Sequence, residues 1–102
     1  MIDQHFAERG RIGRLLGAVA QNPRVLGIGI DENTAIVVED DRVRVLGEGA
    51  VYVVDGSHVG HSNVAEAQHH EALSMFGVQL HVLASGNRFD MKKRLPTTGA
   101  AA

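Results

Sequence analysis

A histidine stands in the dense polar run Asp3-Gln4-His5-Phe6, and a pair of carboxylates, Asp31-Glu32, follows an apolar stretch much further along the chain. An imidazole held by a carboxylate is the base half of a nucleophilic triad. The carboxylate orients the ring and stabilises it once it has taken a proton. Whether His5 and Glu32 can meet depends on what lies between them. Ile12, Leu15, Leu16 and Val19 recur at helical spacing, which predicts a helix over residues 11–21. Asn22-Pro23 closes it, because proline cannot continue a helix and biases the residue before it toward extended geometry. Val25-Leu26-Gly27-Ile28-Gly29-Ile30 is apolar or glycine throughout, too short for a typical helix and without alternation. That pattern suits a strand buried on both faces in a parallel sheet. If Met1-Ile2 ends an earlier strand, the segment is the second half of a β-α-β unit. Parallel strands end on one edge of a sheet, where ligand and catalytic groups collect in open α/β folds. The same spacing also fits a surface histidine and an acidic turn.

Arg9, Arg11 and Arg14 form a second group. The guanidinium is a rigid planar fork suited to carboxylates, and the chain carries eight Arg against two Lys. On an ideal helix Arg11 flanks the apolar stripe while Arg14 points away from it. A shared pocket therefore needs irregular backbone, for which Gly10 and Gly13 give room. Convergent arginines would suit a substrate with several carboxylates; a solvated basic turn is the alternative. A third group is rich in histidine: His58 and His61, then His69-His70, with Glu66 and Glu71 able to complete a set. No cysteine and no HExxH pattern accompanies them, so a hydrogen-bonding role is expected and no metal. Ser57, Ser62, Ser74 and Ser85 are the four serines, and none sits in a Gly-x-Ser-x-Gly elbow. Ser57, in Asp-Gly-Ser-His, comes nearest, but it follows a strand expected to be antiparallel.

The elements that must position these residues come from an aliphatic chain. Hydrophobic residues make up 44% of the 102, with three Phe, one Tyr and no Trp. Residues 34–39 and 42–46 read as a hairpin turning at Asp40-Asp41, and residues 50–54 as a further strand ended by Asp55-Gly56-Ser57. Residues 58–63 read as loop and 64–75 as a weak helix. Residues 78–83 alternate as a strand does, and Ser85-Gly86-Asn87 turns away from it. Residues 91–102 are expected to be a frayed, flexible tail. A net charge of −2 gives no reason to propose nucleic acid or an anionic membrane as partner. Without cysteine there is no disulfide framework and no thiolate chemistry. No stretch approaches the roughly 20 apolar residues that span a bilayer, and residues 1–6 lack the apolar core of a signal peptide. A cytoplasmic protein is the expectation.

Taken together, these residues resemble the cyanophycinases, serine peptidases of the peptidase E group on a glutamine-amidotransferase-like α/β fold. The resemblance rests on Asp3-Gln4-His5-Phe6-x-x-Arg9-Gly10-Arg11-Ile12-Gly13-Arg14-Leu15, on Leu26-Gly27-Ile28-Gly29-Ile30-Asp31-Glu32-x-Thr34-Ala35, and on residues 49–56; it continues to Asn87-Arg88-Phe89-Asp90. It implies a three-layer fold with a mostly parallel central sheet and added antiparallel strands, residues 1–90 being the C-terminal part of the peptidase domain. It implies hydrolysis of cyanophycin, a polyaspartate whose side chains carry arginine, to β-aspartyl-arginine. His5 matches the catalytic base and Glu32 its supporting carboxylate. Asp3, Gln4, Arg9, Arg11 and Arg14 match residues lining the substrate pocket. The family needs no metal or organic cofactor. Its nucleophilic serine belongs to an N-terminal part absent from this sequence, so the chain alone is expected to be inactive. Cyanophycin or another acidic or arginylated peptide, the missing N-terminal half and a second copy in a homo-oligomer are the expected partners. A non-catalytic module that binds acidic peptides, or one half of a split enzyme, is the alternative function.

Overall fold

The alternation of glycine and isoleucine in Gly27-Ile28-Gly29-Ile30 sets the layering of the molecule. The computed structural model describes residues 2–4, 12–63 and 74–99, the side-chain positions of Asp3, Gln4, Ile12 and Gly13 apart. Within them, strand β2 (Gly27–Ile30) is buried along its whole length. Its isoleucines face one way and join a core of Val43, Val45, Val51, Val53, Leu83 and Phe89. Its glycines face a helix, α1 (Ile12–Gln21). A Cβ on Gly27 would lie 2.8 Å from Val19 and 2.9 Å from Leu15, so the bare backbone is what lets α1 sit close.

β2 lies in a four-stranded sheet with β1 (Ile2–Gln4), β5 (Val51–Asp55) and β8 (Gln79–Leu83), in the order β1-β2-β5-β8. β1 runs parallel to β2, with Ile2 opposite Ile28 and Gln4 opposite Ile30. β5 is antiparallel to β2, and β8 is antiparallel to β5. The expectation of a mostly parallel sheet therefore meets one parallel pair and two antiparallel ones among the described residues. A run of buried apolar residues reports burial on both faces and carries no information about direction.

A second sheet, ordered β10-β9-β4-β3, comprises β3 (Thr34–Glu39), β4 (Arg42–Gly47), β9 (Arg88–Asp90) and β10 (Leu95–Thr97), all antiparallel. β3 and β4 form the expected hairpin. Its tip uses Asp40 at φ 54°, a left-handed conformation that Asp tolerates better than most side chains do. Val43, Val45 and Phe89 point from this sheet into the shared core, while Leu15 and Val19 of α1 bury Val54 on the other face of the first sheet. Helix, sheet and sheet thus stack in three layers. Each fully buried Val or Leu contributes about 1.5–3 kcal/mol to holding them together.

Three expectations change. Val25 is 42% exposed and belongs to the turn after α1, where its N–H donates to the Asn22 carbonyl at 3.0 Å. Within residues 58–63 a short strand β6 (His61–Ser62) pairs with β7 (Met75–Phe76), so Met75 is strand where a helix was expected; residues 64–73 lie outside the described part. Residues 91–97, expected to be frayed, form a turn and strand β10. The Arg94 guanidinium anchors that turn: it donates to Asp55 at 2.8 Å and also to the Arg24 carbonyl. No helix among the described residues is long and apolar enough to cross a membrane.

Candidate functional site

β1 and β2 run in the same direction and in register, so both end at one edge of the first sheet. From that edge β2 continues into Asp31-Glu32-Asn33, the acidic turn singled out above. The turn is held from several sides. The Asp31 carboxylate Oδ2 accepts the Ala50 N–H at 3.0 Å, while the Asp31 N–H donates to the Ala50 carbonyl at 3.1 Å. Thr34 Oγ1 donates to the Glu32 carbonyl at 3.1 Å and accepts the Gly49 N–H at 2.9 Å. Asn33 takes a left-handed φ of 56°, and its carbonyl accepts the Glu48 N–H at 3.1 Å. These bonds fix the backbone on both sides of Glu32, whose side chain is exposed.

Gly49 completes the frame by being small. A Cβ there would stand 2.6 Å from Asp31 Cβ and 2.7 Å from Thr34 Oγ1. Tyr52, one strand over on β5, bonds the Asp31 carboxylate with its phenol. Burial raises the phenol pKa above its usual value, and the Asp31 charge and hydrogen bond raise it further. Two adjacent carboxylates therefore do different work. Asp31 is spent on the turn, and Glu32 is presented by it.

The remaining candidates divide by position. Arg14 is exposed in the first turn of α1. Since α1 ends near Pro23 and Gly56, where Val19 packs, its first turn lies back toward the Asp31 edge. His5, Arg9, Arg11, Glu66, His69 and His70 lie outside the described residues, as do the side chains of Asp3 and Gln4. Ser57 bonds His58 Nδ1 through its hydroxyl at 3.1 Å. It follows β5, which is antiparallel to β2, so it sits at the opposite edge of the sheet from Glu32. Ser85 follows β8 at the same edge as Glu32, but two strands away from β2, in a turn whose Gly86 N–H is bonded to Val45. Neither Ser57 nor Ser85 therefore stands beside the Asp31-Glu32 turn. Ser62 lies in β6 opposite Met75, and Ser74 precedes β7, its carbonyl accepting the Asn63 N–H at 3.0 Å. His61 stacks on Phe76 at 4.7 Å between ring centroids. Among the described residues no three His, Asp or Glu are grouped to hold a metal.

The arrangement defines an α/β protein with an acidic turn at the common end of two parallel strands. Sequence comparison narrows the class. The chain is 44% identical over 95 residues to the cyanophycinase of Trichormus variabilis, covering 92% of this chain and 32% of that protein. It is 38% identical over 100 residues to the cyanophycinase of Geminocystis herdmanii, covering 97% and 37%. With the cyanophycinase of Synechococcus elongatus it shares 40% identity over 93 residues, covering 90% and 29%. No family model matches the chain. The resemblance read from the sequence therefore holds: nearly all of this chain is similar to the C-terminal portion of cyanophycinases. It spans about a third of the length of those curated relatives.

Proposed function

We propose that this chain carries the base and carboxylate side of a serine-type peptidase that hydrolyses cyanophycin to β-aspartyl-arginine. The parallel, in-register pairing of β1 with β2 is the observation that supports this reading most directly. Gln4 stands opposite Ile30, so β1 and the strand that leads into the Asp31-Glu32 turn end side by side. In the proposed mechanism His5 takes the proton of the nucleophilic serine as it attacks the scissile carbonyl, then returns it to the leaving amine. Glu32 holds the imidazole in the required tautomer and stabilises its protonated form. The serine comes from the part of the relatives that this chain does not span, on a glutamine-amidotransferase-like scaffold that β1 and β2 extend. Asp3, Gln4, Arg9, Arg11 and Arg14 line the pocket, Asp3 meeting a guanidinium and the arginines meeting carboxylates.

The test is to supply this chain with a polypeptide carrying the N-terminal two-thirds of a relative and to measure release of β-aspartyl-arginine. Activity is expected only on mixing. In that assembly His5→Ala is expected to lower kcat by on the order of 10⁴ or more, as loss of a triad member does. Turnover by the lone chain, abolished by replacing one of its own four serines, would overturn the reading.

A further inference from the structure

The outward face of the second sheet carries two unlike rows of side chains. The ladder places Glu39 opposite Arg42, Arg42 opposite Asp90, and Asp90 opposite Leu95. In that row each charge has an opposite neighbour. The adjacent row reads Val37, Arg44, Arg88, Thr97, in which two arginines face each other directly and no carboxylate takes part. Directly opposed residues of an antiparallel pair have Cβ atoms about 5 Å apart, and like charges there are destabilising. Among the described residues neither guanidinium has a hydrogen-bond or ion-pair partner, and both residues are exposed. They border a cavity of about 360 Å³ lined also by Val37, Glu39, Asp40 and Arg42.

Two neighbouring guanidinium forks with no partner among the described residues can together donate charge-assisted bonds to a carboxylate. We propose that Arg44 and Arg88 form a carboxylate-binding pair, an accessory site that holds a carboxylate-bearing peptide chain away from the reacting end. From Glu32 to Val37 the chain runs five residues, mostly in strand, which is roughly 17 Å at strand rise. A polymer whose scissile bond lies at the Asp31-Glu32 edge can therefore reach this row with a later carboxylate. The identification of the polymer rests on the function proposed above; the binding site does not.

The experiment separates the two. The chain is titrated with a fluorescently labelled oligo-aspartate peptide and, separately, with inorganic phosphate, with binding read by anisotropy and by amide shifts around Arg44 and Arg88. Binding of the peptide is expected to perturb both positions, and Arg44→Gln with Arg88→Gln to weaken it on the order of tenfold per arginine. Each single variant is expected to melt no lower than the parent, since it removes a like-charge contact, so folding and binding are read apart. In the assembled enzyme the double variant is expected to raise KM for long polymer while leaving the shortest cleavable oligomer unaffected. Peptide affinity unchanged in the folded double variant would overturn the site, and so would a preference for phosphate over peptide. Loss of hydrolysis with peptide binding intact would count against the proposed function alone.

Discussion

Each end of the central β2–β5 pair carries a carboxylate, and the two are treated in opposite ways. At the β2 exit, Asp31 is half-buried and bonded to Ala50 and Tyr52, and the next residue, Glu32, remains exposed. At the β5 exit, Asp55 is 1% exposed and is met by the Ser57 N–H at 2.9 Å and by Arg94 at 2.8 Å. Arg94 is drawn from 39 residues away and spans to the Arg24 carbonyl. The first end uses its buried carboxylate to present another one. The second uses it to close the structure, tying the start of β10 to the turn that follows α1. A carboxylate that is fully enclosed and paired is a poor candidate for chemistry, because its charge is already matched.

The largest expected effect is therefore at the closing end. Arg94→Ala leaves a buried carboxylate without its cation and is expected to cost about 3 kcal/mol of stability, the lower end for a broken buried pair because Arg94 is itself partly exposed. Acid should show the same pair. Burial alone would raise the Asp55 pKa, but the Ser57 bonds and Arg94 outweigh it and hold the carboxyl below its usual 3.8. Its stabilising contribution is then complete above that unfolded value and is lost as pH falls through the folded one. Thermal melts between pH 6 and 2 should show the parent losing stability at the acid end more steeply than Arg94→Ala. Equal slopes, or an Arg94 variant as stable as the parent at neutral pH, would erase the distinction between the two ends.

An intermediate effect is expected at Gly49, which belongs to the presenting end. Gly49→Ala drives a methyl group into Asp31 Cβ and Thr34 Oγ1. Overpacking of that kind costs typically about 1–3 kcal/mol. Urea denaturation gives the cost, and the assembled enzyme gives its consequence, a lower kcat as Glu32 is displaced. A variant with parental stability and parental kcat would mean that the turn tolerates movement and does not fix Glu32.

What the sequence shows of these two ends differs for physical reasons. The hairpin at Asp40-Asp41, the burial of residues 27–30 and the position of Asp31-Glu32 at a strand exit are all local, and periodicity or composition reports them. The partners of Asp31 are not local. Tyr52, Ala50 and Gly49 reach it through the pairing of β5 with β2; an antiparallel strand was expected there, but nothing in the run Val51–Asp55 names β2 as its partner or sets the register. Arg94 stands in a basic stretch before Pro96 that resembles a solvated tail. Only the fold brings it to Asp55, and no spacing rule links positions so far apart. The opposed pair Arg44 and Arg88 is hidden in the same way, since register between β4 and β9 decides it.

The smallest expected effect distinguishes presentation from structure most sharply. Glu32 is exposed, and its turn is framed by hydrogen bonds through its own carbonyl, Thr34 Oγ1 and the Asp31 carboxylate. Glu32→Gln keeps the size and the backbone of the residue while removing the charge. Its effect on unfolding should be within about 0.5 kcal/mol, the range of surface substitutions. Asp31→Asn, by contrast, weakens a charge-assisted bond to the Ala50 N–H and another to Tyr52, and should cost more than Glu32→Gln in the same melt. Activity should order the two differently: in the assembled enzyme Glu32→Gln should lower kcat strongly, because a glutamine cannot stabilise a protonated imidazole. If Glu32→Gln costs as much stability as Asp31→Asn, the residue is part of the frame. If it leaves kcat unchanged in an active assembly, the carboxylate partner of His5 must be sought elsewhere at that edge.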